Sequence, residues 1–144
     1  MMYRIACDRR DGIPNRYSGG DKPLIYLITS VGAVIDAGST WVATDGNAAT
    51  ATTEFTADLQ DMAQMVDWPL MSAQRWNSTP EDLDRQRRRQ AEFLVYGELP
   101  LTVIRWVAVQ SEELASQVGK LLVDHALGQR IIVRPGWDYG YERR

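Results

Sequence analysis

Five short apolar runs constrain this chain more than any other feature. They are PLIYLIT (23–29), TWVAT (40–44), FLVY (93–96), LTVIRWVAVQ (101–110) and RIIVRP (130–135). Each is rich in β-branched or aromatic residues and bounded by turn formers, so each predicts a buried strand. The stretches between them have helical spacing instead. Ser30 can cap a short helix over VGAVIDA that Gly38 stops, and the pair Asp45-Gly46 closes the second strand. Phe55, Leu59, Met62 and Val66 recur at helical intervals behind the cap candidates Thr52 and Thr53. DWPLMSAQRW predicts a short helix with Pro69 in its first turn. STPEDLDRQRRR predicts another, with Thr79 as cap, Pro80 at the first helical position and Glu81 and Asp82 beside the positive end of the dipole. SEELASQVGKLLVDHALG is amphipathic, with Ser111 as cap and Gly128 after its end. Strands interleaved with helices predict an α+β or mixed α/β domain. No linker, repeat or low-complexity segment divides the 144 residues, so residues 1–144 are expected to form a single domain.

Bulk properties narrow the functional classes. A formal net charge of -3 gives no global attraction to nucleic acid, so any such binding requires a local basic patch. One cysteine, Cys7, and one histidine, His125, leave no intramolecular disulfide and no Cys/His zinc cluster. No apolar stretch has the length of a membrane span, and the first residues, MMYRIACDRRDG, lack the order of a signal peptide. These features together predict a cytoplasmic protein. His125 falls late in an amphipathic helix, where a surface or capping role is expected, and neither GxGxxG nor a P-loop lysine occurs.

One short stretch carries a chemical question. RRRQAEFLV (87–95) sets three arginines before a lone acid, Glu92, at the head of an apolar strand. Glu92 has two readings: a carboxylate paired with a neighbouring arginine, or an acid held rigidly at a cleft to stabilise positive charge or accept a proton. Arg85, Arg87, Arg88 and Arg89, with Arg75 upstream, form the one dense cationic cluster. It is either a helix face balanced by Glu81, Asp82 and Asp84 or a phosphate-contacting patch, since the guanidinium fork matches phosphate oxygens. Trp68, Trp76 and Tyr96 lie near it in sequence and are either core residues or platforms for bases.

Taken in order, GGDKPLIYLITSVGAVIDAG, TWVATDGNA, VDWPLMSAQRW, RRRQAEFLVYGELPLTVIRWVAVQS and IIVRPGWDYGY resemble the DarT family of DNA ADP-ribosyltransferase toxins. The likeness covers nearly all of residues 17–141. It implies an ADP-ribosyltransferase-like core of mixed sheet with flanking helices, with Glu92 opening a central strand. It also implies NAD-dependent ADP-ribosylation of a base in single-stranded DNA, without a metal. By the same resemblance Glu92 is the catalytic carboxylate and Tyr3 contacts NAD. Asn47, Arg75, Arg85, Arg87, Arg88 and Arg89 contact DNA, and the arginine run meets Glu92 so that opposite charges sit together. A macrodomain antitoxin of the DarG type is the implied partner. The family carries a histidine–threonine NAD-binding element ahead of the part resembling MMYRIA, and no H-x-T occurs in this sequence. The alternative is therefore a non-catalytic or degenerate DNA-binding module without an intact NAD pocket.

Overall fold

The computed structural model describes residues 23–73 and 75–133. Helices and sheets are mixed, as the interleaved patterns predict. The chain divides into two compact units, one joining the chain up to Ser30 with Pro100 onward, the other comprising Val31–Leu99.

The first unit contains β1 (Tyr26–Ile28), later joined by β5 (Trp106–Val109) and β6 (Arg130–Val133). β5 is central, antiparallel to β1 and parallel to β6. A parallel pair requires a crossover, and the helix Glu112–Asp124 supplies it. The Ser111 hydroxyl accepts from Leu114 N at 3.2 Å, and Glu112 and Glu113 occupy the first turn, so the predicted start is observed. Val118, Leu114 and Leu122 of this helix pack on Val107, Val109 and Ile131. The helix ends before Gly128, with exposed His125 at its C-cap and Ala126 at φ 51°. The expected strand over 101–110 is shorter than its apolar pattern. Pro100 starts a 3₁₀ turn over Leu101–Val103, which delays the strand to Trp106.

The second unit holds α1 (Val31–Asp36), β2 (Trp41–Thr44), β3 (Phe55–Thr56), α2 (Leu59–Met65), α3 (Trp68–Met71), α4 (Arg85–Arg88) and β4 (Phe93–Val95). In this numbering the Glu112–Asp124 helix is α5. The second sheet has the order β3-β2-β4, all antiparallel. One face, with Trp41, Ala43 and Phe93, packs on Met62 and Val66 of α2 and its flank, and the Trp41 and Phe93 rings stack at 5.0 Å.

Three expectations are corrected here. Phe55 belongs to β3, not to a helix. The α2 helix begins later because the Asp58 carboxylate accepts from Gln60 N and Asp61 N, while the Thr53 hydroxyl donates to the Asn47 carbonyl instead of capping. The helix expected from Thr79 is reduced to Arg85–Arg88, because Thr79 and Asp82 exchange backbone hydrogen bonds in a tight turn. β4, expected to be central, is the edge of its sheet among the described residues, and β2 takes the centre. The α3 helix follows expectation, with Pro69 in its first turn and Asp67 capping Leu70 N at 3.0 Å.

Candidate active site

Glu92 immediately precedes β4 and continues its ladder. Ala43 pairs with Phe93, so Thr44 faces Glu92, and Thr44 N donates to the Glu92 carbonyl at 2.9 Å. At the other end Tyr96 N donates to the Thr40 carbonyl. Strand alternation then puts Glu92, Leu94 and Tyr96 on one face, opposite Phe93 and the α2 core. Tyr96 is 84% exposed.

Two groups fix the acid. Glu92 Oε2 accepts from Ala48 N at 2.9 Å, which ties the carboxylate to the turn after β2. Thr44, 0% exposed, serves the backbone beneath it. Its hydroxyl accepts from Glu92 N at 3.0 Å and donates to the Gly46 carbonyl at 2.6 Å. One buried hydroxyl thus joins the T-D-G turn to the residue that carries the acid. The other carboxylate oxygen, Oε1, has no hydrogen-bond partner among the described residues. A carboxylate held at one oxygen and open at the other can accept from a ligand hydroxyl, offset positive charge beside it, or take a proton.

The turn itself is braced from several sides. Asp45 Oδ1 accepts from Glu54 N at 2.9 Å, and Oδ2 accepts from Arg87 Nη1 at 2.7 Å. The Asn47 carbonyl accepts from Thr50 N and from the Thr53 hydroxyl, and Asn47 Oδ1 accepts from Ala49 N. Asn47, expected at DNA, therefore has its side-chain oxygen committed to the turn. Gly46 lies under Arg87: a Cβ there would approach Arg87 Nη1 to 3.1 Å and Thr53 Oγ1 to 3.3 Å. Any larger residue here would have to push the Arg87 side chain or Thr53 aside by a few tenths of an ångström.

The arginine run does not meet Glu92. Arg87 Nε and Nη2 donate to both oxygens of Asp84 at 2.8 and 2.9 Å, and Nη1 donates to Asp45. Arg88 makes the same two-sided arrangement with both oxygens of Asp82, at 3.1 and 2.7 Å, and with Asp67 at 3.0 Å. The hydrogen bond from Arg87 holds the Asp84 carboxyl below its ordinary value, and that from Arg88 does the same for Asp82. Both guanidiniums are raised in turn, chiefly by the same two partners. The expected meeting of opposite charges occurs between arginines and aspartates, and the expected balance by Glu81 falls to Asp45 and Asp67 instead. Arg85 Nη2 donates to the Arg75 carbonyl at 2.9 Å, and Arg89 Nη1 lies 3.9 Å from Met71 Sδ. Trp68 is half-exposed, its indole N–H donating to the Ala63 carbonyl at 3.0 Å. Tyr3 lies outside the described residues, as do the stretch from Asp8 to Lys22 and the aromatic tail after Val133. Among the described residues no three His, Cys, Asp or Glu side chains could hold a metal ion, and no helix is long and apolar enough to cross a membrane.

Arg87 is thus the keystone of the turn that carries Ala48. Replacing it with glutamine is expected to lower stability by about 1–3 kcal/mol, because Asp45, only 13% exposed in its side chain, loses a charged partner. Thermal unfolding of Arg87→Gln beside Arg87→Gln/Asp45→Asn measures this. Equal melting of Arg87→Gln and the parent protein would remove the bracing role.

Sequence reasoning missed Thr44, Ala48, Thr53 and Asp67 as organisers of the site. Asp67 had a signal, since D-W-P places a cap residue before proline at the second helical position. Thr44 and Ala48 are joined to Glu92 across 44 to 48 residues and carry no local mark.

The family described as "ssDNA thymidine ADP-ribosyltransferase, DarT" matches residues 1–139. A "DNA ADP-ribosyl transferase" of Mycobacterium tuberculosis is 36% identical over 139 residues, which are 96% of this chain and 58% of that protein. The structure "Thermus sp. 2.9 DarT in complex with NAD+" superposes with a TM-score of 0.81 at 29% identity, covering 98% of this chain and 66% of that one. "Thermus sp. 2.9 DarT in complex with ADP-ribosylated ssDNA" gives 0.81 at 30% identity, over 98% of this chain and 63% of that one. The chain thus spans 58% of the length of the mycobacterial relative.

Proposed function

Because the chain belongs to the DarT family, we propose that it transfers ADP-ribose from NAD to thymidine in single-stranded DNA, with Glu92 as the catalytic carboxylate. The observation that carries this reading is the state of Glu92: one oxygen anchored on Ala48 N, the other open, on a face shared with exposed Tyr96. The Thermus relative, whose solved structures hold NAD+ and ADP-ribosylated ssDNA, supports the choice of both substrates.

The described residues fit one part of NAD, its reacting ribose. NAD supplies the ADP-ribosyl group and a nicotinamide leaving group. Glu92 Oε1 would orient a ribose hydroxyl, offset positive charge developing at the ribose carbon, and accept the proton released by the attacking base nitrogen. The remaining NAD contacts are assigned by family likeness to Tyr3. Among the basic residues, Arg75, Arg85 and Arg89 are the phosphate-contacting candidates, and Asn47 retains an amide N–H₂ for DNA. Arg87 and Arg88 act here as braces, since their forks are occupied by four aspartates. A role as the toxin partner of a DarG-type macrodomain antitoxin, in the cytoplasm, belongs to this reading.

The test is incubation of the full chain with isotope-labelled NAD and single strands with or without thymidine, read by mass. An ADP-ribosyl mass gain on thymidine-bearing strands only is expected. DNA binding without mass gain, and without heat on titration with NAD, would overturn the enzyme and leave the non-catalytic module. Salt dependence sorts the arginines. Neutralising Arg75, Arg85 and Arg89 should flatten the log–log salt slope by about 0.7 for each phosphate no longer held, whereas Arg87→Gln/Arg88→Gln should leave it unchanged. A flattened slope in the second variant would return those two residues to the DNA.

A further inference from the structure

The Glu92 carboxylate is tied to the turn after β2 through one atom, the Ala48 N–H, 2.9 Å from Oε2. Where that N–H stands therefore governs where the open oxygen, Oε1, points. Its place depends on the course of residues 45–48, and one side chain from a distant part of the sequence lies along them. Arg87 Nη1 donates to Asp45 Oδ2 at 2.7 Å, at the start of the turn. Arg87 Nη1 and Cγ also lie 3.1 and 3.3 Å from where a Cβ on Gly46 would stand, so the same side chain rests on this buried glycine. Contact with two consecutive residues restricts the turn more than an ion pair alone would.

Arg87 is itself held in one orientation. Its Nε and Nη2 donate to the two oxygens of Asp84 at 2.8 and 2.9 Å, which fixes the plane of the guanidinium fork. Asp45 is held from a second side, where its Oδ1 accepts from Glu54 N at 2.9 Å. The Asp45 side chain is only 13% exposed, so solvent screens its pairing with Arg87 less than that of a surface ion pair. A continuous series of contacts thus runs from Asp84 through Arg87 to Asp45 and Gly46, and along the turn to Ala48 N and Glu92. All of it lies within Val31–Leu99.

We propose that Arg87 is a positioning residue for Glu92: acting through Asp45 and Gly46, it sets where the Ala48 N–H stands and so where the open carboxylate oxygen is aimed. This goes beyond bracing the fold, because it requires the reaction to slow in protein that remains folded. The effect on rate rests on the reading of Glu92 as the catalytic carboxylate. The effect on the tether at Ala48 does not.

Arg87→Gln, Asp45→Asn and the double variant are compared with the parent chain well below every melting point. Asp45→Asn is the milder change, since its side-chain oxygen still accepts from Glu54 N. Hydrogen exchange at the Ala48 amide, followed by NMR, reads the tether without reference to any reaction. Each single change should speed that exchange by about tenfold or more. The double variant should exchange no faster than the singles, because both act on one link. Initial rates of ADP-ribose transfer are then measured over ranges of NAD and of a thymidine-bearing strand. kcat should fall by about tenfold or more with KM for the strand unchanged, since misplacement near 1 Å can slow a positioned reaction by about 100-fold. In a Glu92→Gln background the Arg87 change should slow transfer little further, because no charge is left to aim. Unchanged exchange at Ala48 in both single variants refutes the proposal, and so does faster exchange with the parent kcat. A raised KM for the strand at the parent kcat puts Arg87 on the DNA and overturns it too. Glu92→Gln at the parent rate, or a parent that transfers nothing, defeats the catalytic reading instead, and exchange at Ala48 then decides the link from Arg87 to Glu92 by itself.

Discussion

Glu92→Gln is expected to reduce ADP-ribose transfer by about 100- to 1,000-fold without changing the melting temperature. The expected size is that of removing one charge-stabilising group from a reacting centre. Glutamine has the same shape, and its side-chain oxygen can still accept from Ala48 N, so the tether to the turn survives. Only the charge is lost. Glu92→Ala tests the other half of the geometry, since it removes the tether as well and should slow the reaction while also loosening the turn after β2. Initial rates of mass gain on a thymidine-bearing strand measure the first effect and thermal unfolding the second. If Glu92→Gln matches the parent rate, Glu92 leaves the mechanism and its hydrogen bond with Ala48 becomes a purely structural link.

The site was legible in the sequence where its causes are local. An acid heading an apolar strand is visible as a pattern, and so are the D-G turn, the Ser111 cap and the proline in α3. Partner choice is not local. Arg87 reaches Asp45 across 42 residues and Arg88 reaches Asp67 across 21, so two arginines of a run that reads equally as a phosphate-contacting patch are occupied once the chain folds. The nearest carboxylates in sequence suggested the right kind of partner but only half of the partners. Sheet order fails for the same reason: hydrophobic content marks β4 as a strand, and only long-range pairing decides that β2 is the centre. Phe55 shows a different failure. Its spacing to Leu59 fits a helix, yet Asp58 offers a stronger cap than Thr52 or Thr53 and moves the helix start past it.

Thr44 gives the second large effect, because a single hydroxyl connects fold and chemistry. In Thr44→Val the side chain keeps its volume, but the Gly46 carbonyl loses a donor and Glu92 N loses its acceptor in a fully buried place. Orphaning these groups is expected to lower stability by about 1–3 kcal/mol. For a chain of this length that is a fall of roughly 3–4 °C in melting temperature for each kcal/mol. The rate should fall too, because the hydroxyl sets where Glu92 stands relative to the turn, and a displacement near 1 Å can slow a positioned reaction by about 100-fold. Thr44→Ser separates the two demands. It restores the hydroxyl and removes only a methyl group, so it should recover most of the rate while remaining slightly less stable than the parent, by about 0.8 kcal/mol. Rates measured well below each variant's melting point isolate positioning from unfolding. A valine variant that transfers at the parent rate would show that Glu92 is placed by the Ala48 tether and the β2–β4 ladder alone, without the Thr44 hydroxyl.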